Sequence, residues 1–76
     1  MPLYYFDIRE NDAVAVDELG LELPSLKDAE VEAARSLADM AKSMPAGAER
    51  HHLAIEVRTA VGPAFKATFV YELTRH

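Results

Sequence analysis

Cysteine is absent from this chain, and glycine occurs only at Gly20, Gly47 and Gly62. Without cysteine there is no disulfide framework and no thiolate metal site, which suits a reducing compartment and leads to the expectation of a cytoplasmic protein. Three scattered glycines build no phosphate-cradling loop. No apolar run approaches the ~20 residues that cross a bilayer. The opening MPLYYFDIRE lacks a basic region followed by an apolar core, so neither a signal peptide nor a transit peptide is expected. Basic side chains are also scarce, with eight Lys and Arg against 13 Asp and Glu, a net charge of −5. That balance opposes nucleic acid and anionic membrane surfaces as generic partners, because phosphate affinity rests on Lys and Arg. It favours a basic protein as partner, although such a charge also serves solubility.

Half of the 76 residues are hydrophobic, enough for one globular domain spanning 1–76 and too many for a disordered segment. A domain of this length buries only roughly 60% of the surface that its unfolded chain exposes, so a thin core is expected.

The longest periodic stretch is Ser25 to Met44. Apolar residues recur at Leu26, Ala29, Ala33, Leu37, Met40 and Met44, the three-and-four spacing of one helix face. Ser25 is placed to cap the first turn, and Asp28 is a shorter version of the usual capping-box Glu. Pro45 and Gly47 mark the stop. The opposite face carries Asp28, Glu32, Arg35, Asp39 and Lys42 and reads as solvated surface.

Strand patterns flank the helix. Leu3 to Arg9 alternates, with Tyr4, Phe6 and Ile8 on one face, and Ala13 to Asp17 reads as its hairpin partner. A three-residue loop, Glu10-Asn11-Asp12, places Ile8 opposite Val14 and Phe6 opposite Val16 and keeps one face apolar. A two-residue loop places Phe6 opposite Asp17, so the longer loop is expected. Glu18 to Pro24 is a connector whose Leu19, Leu21 and Leu23 can fold under the helix start. His51 to Thr59 and Pro63 to about Leu73 alternate again. A three-residue loop, Ala60-Val61-Gly62, pairs Thr59 with Pro63, Val57 with Phe65, Ile55 with Ala67, Leu53 with Phe69 and Glu56 with Lys66.

The element order is therefore β-β-α-β-β. It predicts an α+β fold of two layers: a four-stranded antiparallel sheet of order 2-1-3-4 with one long helix across one face. The alternative order 2-1-4-3 makes strands 1 and 4 parallel and is disfavoured. The preferred order sets Asp7 and Arg9 beside Glu56 and Arg58 on the uncovered face.

No catalytic, cofactor-binding or metal site is expected. His51 and His52 are adjacent on a strand, point to opposite faces, and read as solvated edge histidines. Glu10/Asp12 and Asp17/Glu18 lack the spacing of a Ca²⁺ loop. Ser25 has a capping role, and Ser36 and Ser43 lie on the helix, so no nucleophilic triad assembles. Phe6, Phe65 and Phe69 fall on the face that the helix must cover, which argues for core rather than a base-stacking platform. The uncovered face keeps a nearly apolar strip, Leu3, Tyr5, Ala54, Thr68 and Val70. It is the candidate interface for homodimerisation through the sheet face or an edge.

The segments YYFDIR (Tyr4 to Arg9), DELGLELP (Asp17 to Pro24) and LAIEVR (Leu53 to Arg58), with the Ala-rich helix between the last two, resemble a family of short uncharacterised proteins from rhizobia and related alphaproteobacteria. The resemblance implies a domain of unknown function and transfers no site residue. In topology alone, the order resembles HicB-type antitoxin domains. The function expected is a non-enzymatic protein-interaction module that self-associates. Two alternatives stand beside it: an antitoxin-like partner of a basic protein, and a small-molecule binding protein with a pocket between the helix and the 19–23 connector.

Overall fold

The computed structural model describes residues 1–76. Its elements are β1 (Leu3–Glu10), β2 (Ala13–Ala15), β3 (Leu21–Glu22), α1 (Leu26–Lys42), β4 (Arg50–Thr59) and β5 (Gly62–Glu72). All strand pairs are antiparallel, and the sheet runs β2-β1-β4-β5, with β3 pairing β1 as well. The α+β class with one helix on an antiparallel sheet is as expected. The four-stranded count is corrected to five strands. The connector read as a loop contributes β3, with Leu21 opposite Tyr4 and Glu22 opposite Leu3. Thus β2 and β3 share one edge of β1, one after the other, and the three expected neighbour pairs, first hairpin, β1 with β4, and second hairpin, sit within that five-stranded arrangement.

The helix begins where the local chemistry puts it. Ser25 adopts extended backbone, its Oγ accepts from the Asp28 amide at 3.3 Å, and its hydroxyl donates to Asp28 Oδ2 at 2.8 Å. Ser43 closes the other end, so the helix stops short of Met44. The buried positions are Ala29, Ala33 and Leu37, spaced by four. This stripe is narrow and small, so the helix backbone sits close to the sheet. It packs on β4 and β5. Leu53, Ile55 and Val57 of β4 meet it and are the largest fully buried side chains. Phe6, Ile8, Leu23, Met40, Phe65 and Phe69 pack around that cluster but stay partly exposed. Tyr4 completes it.

Both hairpin loops are shorter than expected. In the first, Glu10 faces Ala13 and Ile8 faces Ala15, leaving the two-residue loop Asn11-Asp12. Asn11 takes a left-handed φ of 51°, a conformation that Asn tolerates. It still extends the β1–β4 ladder: its amide donates to the His52 carbonyl at 2.8 Å, and its Oδ1 accepts from the His52 amide at 3.1 Å. The apolar-face argument for the longer loop fails because the helix lies over β4 and β5. Val14 and Val16 remain 48% and 61% exposed, so burial never rewards matching them to Ile8 and Phe6.

In the second hairpin Thr59 faces Gly62 and Arg58 faces Pro63, so the loop is Ala60-Val61 and the expected Thr59–Pro63 pair is absent. From Val57–Phe65 onward every expected pair is present, Glu56–Lys66 included. The two registers are reconciled by a bulge, in which Ala64 is the extra residue between Pro63 and Phe65.

The stripe makes a direct prediction. Ala33→Leu inserts bulk where helix and sheet touch and should destabilise the domain by about 1–3 kcal/mol in a urea or thermal melt. Ala38→Leu, on the exposed face, should change stability by less than about 0.5 kcal/mol.

Candidate interaction surface

The uncovered sheet face is organised by charge. Asp7 and Glu56 stand directly opposite each other on β1 and β4, a pairing of like charges. Each is neutralised diagonally. Arg58 Nε donates to Asp7 Oδ2 at 2.9 Å, and Arg9 Nε donates to Glu56 Oε1 at 3.1 Å. The Arg58 guanidinium also lies 4.4 Å from the Tyr5 ring centroid, a cation–π contact, and donates to the Asp17 carbonyl at 2.8 Å. The charges expected side by side on this face therefore do pair.

Asp17 closes the gap between β2 and β3. Its Oδ2 accepts from the Phe6 amide at 3.1 Å, and its Oδ1 accepts from the Leu19 and Gly20 amides at 3.0 and 3.1 Å. Its own amide donates to Asp7 Oδ1 at 2.9 Å. Phe6 sits where a continuous partner strand would have offered a carbonyl, and the carboxylate takes that place. Gly20, at φ 76°, makes the return possible; a Cβ there would stand 3.0 Å from the Leu3 side chain and 3.1 Å from the Tyr5 ring. The hydrogen bond from Arg58 holds the Asp7 carboxyl below its ordinary value of 3.8. The amides of Gly20, Phe6 and Leu19 do the same for Asp17. Arg58, bonded to Asp7, is in turn shifted upward.

The five residues of the expected interface do not form one patch. Leu3 and Tyr5 lie at one end of β1, beside a shallow groove of about 250 Å³ that Pro2, Thr59, Ala60 and Val61 complete. Thr68 and Val70 lie on β5, opposite Ala54 and His52. Between the two ends run the ion-paired rows of Asp7, Glu56 and Arg58. Ala54 is only 2% exposed and presents almost no surface.

The edge, expected beside the sheet face as a route to self-association, differs between the two sides of the sheet. The Leu73 amide donates to the Glu49 carbonyl at 2.8 Å, so the odd-numbered residues of β5 turn their backbone toward β4. Lys66, Thr68, Val70 and Glu72 therefore turn theirs outward, away from the sheet. The other edge has no such row, since β2, Asp17 and β3 occupy it. Strand alternation and the hairpin pairing carried this parity in the sequence; the extent of closure on the other side did not.

His51 corrects the solvated reading given to the histidine pair. It is 5% exposed, on the helix-covered face, with Nε2 2.9 Å from Glu10 Oε2, while His52 is exposed. A groove of about 440 Å³ between Glu10, Leu53 and the helix end at Asp39, Met40 and Ser43 opens nearby. None of the four surface depressions is lined by residues 19–23, where the small-molecule alternative places its pocket. Leu23 packs against the core, but Leu19 is 88% exposed. No three His, Asp or Glu side chains converge as a metal site. No helix is long and apolar enough to cross a membrane.

Fold and surface together define a two-layer α+β domain with one sealed and one open sheet edge. The chain belongs to the family DUF6894, a domain of unknown function, whose sequence model matches residues 3–70. No curated protein and no solved structure matches it.

The Asp17 cluster yields a prediction with a definite sign. Asp7 and Asp17 have lowered pKa values in the folded chain and ordinary ones near 3.8 when unfolded. The unfolded chain therefore binds protons first as pH falls, so their stabilisation is complete well above 3.8 and is lost as pH drops through the folded values. Asp17→Ala should cost about 1–3 kcal/mol at neutral pH and flatten the acid limb of a stability-against-pH curve. An unchanged acid limb would remove Asp17 from this role.

Proposed function

We propose that this domain is a small non-enzymatic interaction module whose working surface is the outward edge of β5. The supporting observation is the contrast between its two edges. A short split strand and a side-chain carboxylate close the β1 edge, while β5 offers outward amides and carbonyls from Lys66 to Glu72. An unpaired strand of that length is a template for an added strand, with backbone hydrogen bonds providing affinity and alternate side chains providing selectivity. The cysteine-free sequence suits a cytoplasmic setting for such a module.

A second reading, an antitoxin-like partner for a basic protein, draws on the net charge of −5 and on a layout of strands, one helix and a closing hairpin, a likeness of topology alone to HicB-type antitoxin domains, from which the extra strand β3 departs. It uses the same edge and differs in who docks there.

Thr68→Pro tests the edge. The Thr68 amide points outward, so proline removes no hydrogen bond to β4, and proline on an edge strand is tolerated. Sedimentation velocity of the purified domain, and capture of defined partners from the source cells, should both register loss of association with the circular dichroism spectrum retained. Associations that persist unchanged in Thr68→Pro would move the working surface elsewhere.

A further inference from the structure

We propose that the strand added to β5 is β5 of a second copy, antiparallel about a twofold axis at Phe69, with Lys66 of each chain opposite Glu72 of the other. This rests on the edge reading above and adds to it the partner and the register.

The backbone limits the choices. Because Lys66, Thr68, Val70 and Glu72 turn their amides and carbonyls outward, two copies of β5 can exchange hydrogen bonds only if even-numbered residues face even-numbered residues. A twofold centred on any single residue meets that condition, and the same parity keeps each chain's helix on the same side of the joined sheet. Side chains then choose among the centres. An axis at Lys66 or at Glu72 sets like charges directly against each other. An axis at Thr68 sets Lys66 against Val70 and Glu72 against the bulged Ala64, and an axis at Val70 sets Lys66 against Thr74. The axis at Phe69 sets Lys66 against Glu72 twice, by symmetry.

Lys66 is available for that contact. Its cross-strand neighbour Glu56 is already bonded to Arg9, and Lys66 enters none of the ion pairs within the chain. Glu72 accepts from Arg50 at 2.9 Å through Oε1 and keeps a second carboxylate oxygen for a donor across the axis. On the other face the same register sets Phe69 against Phe69, Ala67 against Tyr71 and Phe65 against Leu73. Phe65, Phe69 and Tyr71 are only partly buried in one copy, and Leu73 is 43% exposed, so joining two copies continues the apolar layer under both helices. Selectivity for self follows from a strand whose charges complement its own reverse.

Charge reversal tests the register. Lys66→Glu alone sets Glu against Glu72 twice, and Glu72→Lys alone sets Lys against Lys66 twice. Each single variant should weaken the dimer about tenfold or more in sedimentation equilibrium. An equimolar mixture of the two variants should recover a heterodimer in native mass spectrometry, since both cross-axis pairs are then Lys against Glu. The double variant Lys66→Glu/Glu72→Lys should recover a homodimer. Circular dichroism and thermal melts of each variant establish that the monomer fold is kept. A wild-type chain that stays monomeric at millimolar concentration overturns the self-partner, and the edge reading is then judged on Thr68→Pro with other partners. A dimer that Thr68→Pro abolishes but the charge reversals leave untouched keeps the edge and overturns this register.

Discussion

The contact of Ala29, Ala33 and Leu37 with the inward side of β4 carries this fold. Leu53, Ile55 and Val57 are each 1% exposed, and no larger side chain in the protein is as fully enclosed. A domain with one helix has one apolar stripe to cover a sheet with, and here the stripe is made mostly of methyl groups. The helix can therefore lie close to the sheet, but it spans little width. It covers β4 and β5, and on the inward side of β1 Tyr4 is enclosed while Phe6 and Ile8 are left half-buried. The result is an elongated body of 49 × 21 × 17 Å with a core centred on one strand.

That narrowness explains why polar groups take over on the β1 side. Where no helix reaches, β2 pairs for only three residues and β3 for two. Between them the Phe6 amide still needs an acceptor, because an unmatched backbone group costs about 1–3 kcal/mol once water is excluded. Asp17 provides it; its carboxylate is held by the amides of Phe6, Leu19 and Gly20, while Arg58 donates to the Asp17 carbonyl and pairs with the Asp7 carboxylate. The cluster is one unit: the Asp17 carboxylate after β2 holds the loop leading to β3, and the cation that binds both the Asp17 carbonyl and Asp7 belongs to the central strand. Lowered carboxyl pKa values on both acids are the titration counterpart of that arrangement.

Helix, strands and neighbour relations were legible because each rests on a periodic signal many residues long. The pairing of β4 with β5 was legible from Val57 onward because apolar matching and the Glu56–Lys66 pair agreed. The turns were not. For the first hairpin, matching Val14 and Val16 to the core presumed a helix broad enough to cover β2, and a stripe of alanines is not. The register that looked poor, with Phe6 facing Asp17, is the one in which Asp17 is useful. For the second, Gly62 signalled a loop of three, yet the chain turns in two and recovers its phase with a bulge at Ala64. The burial of His51, read from the sequence as solvated, was not legible because its partner Glu10 lies 41 residues away and is brought near only by the β1–β4 pairing.

The bulge also limits how much of the β5 edge stays open. Pro63 and the extra residue Ala64 deform the start of β5 and remove a ladder donor there, both of which discourage a foreign strand. From Phe65 to Glu72 no proline, glycine or further irregularity interrupts the strand, and Lys66 is its only cation. A lone lysine repels little, and with Glu72 six residues on it gives the strand a polarity that its own reverse complements. Under the proposed pairing, protection at the turn combined with regularity beyond it would confine an added strand to the stretch where charge can select it. An edge left open along its whole length would accept registers indiscriminately; one blocked in the middle would accept none.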